Sequence, residues 1–104
     1  MIEYQILYDQ ISGLRASRAK IRKTLGDTVG GPAVRAYGGD MNGAIRVVNL
    51  VCPGWGWETG QNATFACIGS VWKSGREKAF VATADDPARA LLLSVLKVMA
   101  EGAE

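Results

Sequence analysis

Residues 85–102 read Asp85-Asp86-Pro87-Ala88-Arg89-Ala90-Leu91-Leu92-Leu93-Ser94-Val95-Leu96-Lys97-Val98-Met99-Ala100-Glu101-Gly102. An aspartate side chain accepts from the free N–H groups of a first helical turn. Proline suits that turn because its φ is preset and its missing N–H is not needed there. Both carboxylates also sit at the positive end of the helix dipole. The spacing predicts a helix from this cap through residue 100, with Gly102 ending it. Leu91, Leu92, Val95, Leu96, Val98 and Met99 form a wide apolar face, and Leu93 points outward.

Upstream of this helix, residues 63–72 (ATFACIGSVW) and 77–84 read as two strands. Lys73-Ser74-Gly75-Arg76 lies between them, a tight-hairpin signal. Alternation in the first of these strands puts Phe65, Cys67 and Val71 on one face and Ile68 and Trp72 on the other. Residues 44–52 (AIRVVNLVC) are rich in β-branched residues and read as a further strand. Residues 26–43 hold six glycines in eighteen positions. A structureless loop of that length is uncommon, so a short strand at 33–37 is expected inside it.

At the N-terminal end, Leu7, Ile11, Leu14, Ile21 and Leu25 follow helical spacing over residues 3–25, with Arg18 at the vacant place in the stripe. Gly26 fits a C-terminal cap. Gly13 weakens the middle by about 1 kcal/mol relative to Ala, which leaves a start as late as Ser12 as the alternative. The expected architecture is one α+β domain over 1–104. It has an antiparallel sheet of three to four strands with an N-terminal and a C-terminal helix packed on it.

The 104 residues carry 12 Lys+Arg, 10 Asp+Glu, no His and 2 Cys, with an apolar share of 48%. That length suits one domain. The missing His removes the commonest general base and metal ligand. Two cysteines cannot build a Cys₄ zinc site, and no cofactor or metal is expected. No apolar run approaches the roughly 18 residues a membrane span needs. The start MIEYQILYDQ lacks the basic segment of a signal peptide, so the expected location is a cytoplasm, with Cys52 and Cys67 as reduced thiols. The remaining base candidates are carboxylates, lysines and Tyr4, Tyr8 or Tyr37. Asp85-Asp86 already has a structural role, and the chain is expected not to be an enzyme.

Two features stand out as surfaces. Arg15, Arg18, Lys20, Arg22 and Lys23 form a basic run with no acid between them. On one helix Arg15, Arg18 and Arg22 share a side. Functionally that is a site for phosphate or an acidic partner. Structurally it is a solvated face with Arg18 laying its stem over the core. The second feature is the Gly-rich connection Pro53–Gly60, which carries Trp55 and Trp57. Loop tryptophans anchor partners, stack bases or fold back to cap a core.

Trp72, Ala82, Thr83, Asp86, Pro87, Ala88 and Ala90 carry a resemblance. Their run, a Trp-bearing hairpin, an Ala/Thr strand, an acid, Pro and a helix beginning Ala-x-Ala, resembles the ends of small bacteriophage proteins, including the phage ABA-sandwich family. The resemblance spans about forty residues. It implies a phage or mobile-element accessory protein and transfers no catalytic residue. The expected function is therefore non-enzymatic binding of a host protein or ribonucleoprotein complex in the host cytoplasm. Such binding would inhibit a defence system in the manner of anti-CRISPR proteins, with Trp55, Trp57, Arg15, Arg18 and Arg22 as contacts. The alternative is a nucleic-acid or nucleotide binding module using the arginines, and a second alternative is a small enzyme using carboxylates. A homodimer is compatible with each.

Overall fold

The structure is a computed structural model and describes residues 2–62, 64, 66–75 and 78–102. Four helices and three strands follow in the order α1 (Ile2–Ser12), α2 (Arg18–Tyr37), α3 (Met41–Val51), β1 (Gly56–Gln61), β2 (Cys67–Trp72), β3 (Ala79–Ala84) and α4 (Pro87–Glu101). The α+β class holds, with an antiparallel sheet of three strands and helices at both ends of the chain.

The α4 helix is the axis of the fold. Asp86 caps it by accepting from Arg89 N at 3.0 Å, Pro87 opens it, and Gly102 closes it in the left-handed region. Of residues 90–99, all but Lys97 are buried. The sheet packs on one side of α4, and α1, α2 and α3 pack on the rest. This corrects the outward placement of Leu93, which is 0% exposed. A helix apolar around its whole circumference is one that is covered all round.

The sheet runs β1-β2-β3 with both pairs antiparallel. The expected hairpin is present, with Trp72 opposite Ala79 and Gly75 at φ +79° in the turn. The predicted faces of β2 also hold. Val71 is buried, and Gly69 beside it faces α4 so closely that a Cβ there would run into the Ala90–Leu91 backbone. Ile68, Ser70 and Trp72 lie on the opposite face. Phe65 lies outside the described residues.

Three sequence expectations are corrected. Residues 33–37 are the last turns of α2, and residues 44–51 belong to α3, not to strands. Asp40 caps α3 by accepting from Asn42 N at 3.0 Å, and the α3 residues Ala44, Val47 and Val48 are buried at helical spacing. The few tenths of a kcal/mol that β-branching costs a helix are outweighed by that burial. Residues 56–61, expected as a loop, form β1, because pairing with β2 supplies what their glycines lack in strand propensity.

The single helix over 3–25 is also corrected, since α1 ends at Ser12 and α2 begins at Arg18. Gly26, read as a helix end, does leave helical geometry (φ 82°, ψ 170°), but a further helical stretch follows it. It is therefore a kink within α2, and Gly30 beyond it packs against Arg22.

Two substitutions test the buried axis. Leu93→Ala should cost about 2–5 kcal/mol in urea unfolding, as deep core truncations do, where an outward leucine would cost almost nothing. Gly69→Ala should cost at least about 2 kcal/mol, because its methyl group meets backbone that cannot rotate aside.

Candidate interaction surface

The basic segment lies where α1 stops and α2 starts. Leu14 adopts the left-handed conformation (φ 57°). This lets Leu14 N donate to Ile11 O at 3.0 Å and Arg15 N donate to Gln10 O at 2.7 Å, the two bonds that close a helix end. Ser17 then caps α2 by accepting from Lys20 N at 3.0 Å. The helical stripe seen in the sequence is thus two helices meeting at a turn. Leu7, Ile11 and Ile21 are buried, whereas Leu14 is 56% exposed.

The turn changes the geometry of the arginines. Arg15 lies in the turn with its guanidinium over Gly13, so it does not share a helix with the other two. Arg18 and Arg22 stand one turn apart on α2. Arg15, Arg18, Lys20, Arg22 and Lys23 are all exposed, so Arg18 does not lay its stem into the core. Among the described residues the ion pairs are Arg35–Asp40 at 3.6 Å and Lys78–Glu101 at 3.2 Å, and neither involves this segment. The first turn of α2 contains no acidic residue. Arg18 and Lys20 therefore sit unneutralised at the positive end of a helix dipole, an arrangement that opposes folding and favours an anionic partner.

The two tryptophans are placed differently. Trp55 and Trp57 are half-buried and pack against the core. The Trp55 ring lies 6.2 Å from that of Phe80, tilted by 36°. Trp57 stands opposite Val71 on the α4 side of the sheet. Both rings rest against the core, and among the described residues no cation–π contact joins either of them to Arg15, Arg18 or Arg22.

The other chemical candidates have structural roles. Cys52 is buried and Cys67 half-buried. Cys67 lies 3.7 Å from the Asp85 carbonyl, to which its S–H donates. Asp86 is the α4 cap, and Arg89 next to it donates to Tyr37 O at 3.3 Å, tying α4 to the end of α2. Burial pushes the Tyr8 phenol above its ordinary value, with the Asp9 carboxylate adding to the effect, and Lys97 Nζ stands 6.0 Å from the ring centre. Among the described residues no group of His, Cys, Asp and Glu could hold a metal ion, and no helix is long and apolar enough to cross a membrane. No protein family, curated protein or solved structure matches the chain.

Two measurements check this site. Leu14→Gly should stabilise the chain by about 0.5–1 kcal/mol, since glycine takes the left-handed position without strain and the lost side chain is mostly in solvent. The Tyr8 shift predicts a pH effect. The folded state holds the phenol proton to higher pH than the unfolded chain, so stability is unaffected below about pH 10 and declines as pH rises through the window above it. Alkaline unfolding of Tyr8→Phe should lack that part of the decline.

Proposed function

We propose that this chain is a non-catalytic binding protein that engages an acidic partner through the segment 15–23. One observation carries the reading. Five cations stand exposed within nine residues, none of them in an ion pair among the described residues, and two of them, Arg18 and Lys20, lie in the first turn of a helix, the wrong end for their charge. Such an arrangement is costly alone and favourable against an anionic surface. Arg15 and the Arg18/Arg22 pair approach that surface from two different elements. The resemblance of the Trp72–Ala90 region to small phage proteins suggests the setting, inhibition of a host defence complex by protein–protein contact. The half-buried Trp55 and Trp57 are structural in this reading.

The same cations would also suit phosphate, and salt separates the two. The test is affinity capture from a bacterial host, followed by binding kinetics of the captured complex with native protein and with Arg15→Glu/Arg22→Glu. Both residues are exposed, so the chain should stay folded and the thermal midpoint should hold or rise as the repulsion is relieved. Against an acidic protein, association should slow by roughly tenfold or more at low salt and recover partly at high salt. Against nucleic acid, affinity should fall for any sequence, and the salt slope should shrink by about two. An unchanged rate and affinity would remove this segment from the interface.

A further inference from the structure

We propose that the outer edge of β1 pairs with the same edge of a second copy of this chain, joining two three-stranded sheets into one continuous antiparallel sheet. The inference stands on strand geometry and is independent of the function proposed above.

Asn62 N donates to Ala66 O at 3.0 Å, and the register continues this pair through Gly60–Ile68, Glu58–Ser70 and Gly56–Trp72. Alternate residues of an antiparallel pair exchange hydrogen bonds. Gly56, Glu58 and Gly60 are therefore bonded to β2, and the backbone N–H and C=O of Trp57 and Thr59 point away from the sheet. The far edge gives the same phase. Lys97 Nζ donates to Val81 O at 2.6 Å, so that carbonyl faces away from β2, and Ser70 opposite it faces Glu58.

The two edges are not equivalent. Lys97 occupies the middle of the β3 edge, the kind of guard that prevents strand addition. The β1 sequence Gly56-Trp57-Glu58-Thr59-Gly60-Gln61 contains no proline and no basic residue. Its one charge is Glu58.

Self-pairing has a preferred register. Outward-facing residues must meet outward-facing residues. Trp57 against the partner's Thr59 would set Glu58 directly opposite the partner's Glu58, and like charges in that position repel. Trp57 against the partner's Trp57 would leave the C-terminal half of the strand unpaired. Centring the two-fold axis on Thr59 avoids both faults. Thr59 then meets the partner's Thr59, a favourable cross-strand pair, and Glu58 meets the partner's Gly60. Among the described residues, chain neighbours aside, no atom lies within 4 Å of where a Gly60 Cβ would stand, so the incoming carboxylate has room. It would enter a shallow hollow of about 240 Å³ beside Ile68 and Ser70. A strand complementary to itself under a two-fold axis is what a symmetric dimer requires, and this favours a second copy over an unrelated strand.

Sedimentation equilibrium over a wide concentration range tests this, with circular dichroism as the folding control. The native chain should show a reversible dimer. Gly60→Glu, which opposes the partner's Glu58, should weaken it by roughly tenfold, and Gly60→Lys should tighten it by a similar factor, because the axis counts each change twice. Thr59→Pro removes an N–H that β2 does not use and should yield a folded monomer. If that variant fails to fold, the opposite responses of the two Gly60 variants decide. A native chain that is monomeric at millimolar concentration overturns the proposal. So does a dimer indifferent to the charge placed at residue 60.

Discussion

The sheet and α4 meet backbone to backbone at Gly69, where β2 lies so close to Ala90 and Leu91 that a Cβ would not fit between them. Much else depends on that seam. With the sheet this near, Val71, Phe80 and Ala82 on its inner face reach into the flank of α4 and are buried. The opposite flank of α4 is left to be covered by α1, α2 and α3. Leu93 then has nowhere to face but inward. A single position without a Cβ thus sets the distance between the layers and makes α4 the centre of the molecule.

The helical layer is shaped by how its helices end. Leu14 turns the chain after α1, Gly26 kinks α2, and Asp40 starts α3 soon after α2 stops. Short helices at steep turns can wrap a cylinder that one long helix could only lie beside. The glycines of residues 26–43 serve this wrapping. Gly30 lets the two parts of α2 meet, and Gly43 lets α3 approach the α2 backbone near Pro32.

Function is left to what this architecture does not consume. The tryptophans between α3 and β2 are half-buried against the core, so part of each ring goes into packing. The cations of residues 15–23 are held in solvent by a turn that the core requires, and their repulsion is a standing cost that an anionic surface would relieve. The β1 edge is the third unconsumed feature, a row of backbone groups whose spacing suits a copy of itself. A dimer built on that edge would display two basic segments. A partner with two acidic sites could then be held through both, with the second attachment aided by proximity.

Local chemistry was legible wherever one residue acts on its immediate neighbours. The α4 cap at Asp86-Pro87, its end at Gly102, the hairpin around Gly75 and the two faces of β2 all follow from interactions that span a few residues. So does the exposure of the basic run, since five cations without an intervening acid cannot be buried. Where propensity and burial disagreed, the residues alone misled. Ala44, Val47, Val48 and Val51 have helical spacing, but their β-branching suggested a strand, and only packing against α2 and α4 resolves the conflict in favour of a helix. The reverse holds for β1, whose glycines suggest a loop until β2 supplies its hydrogen bonds. The inward face of Leu93, the core-bound tryptophans and the separation of Arg15 from Arg18 and Arg22 were decided by tertiary structure. Each depends on what stands on the far side of a residue, and that is set by contacts between parts of the chain distant in sequence.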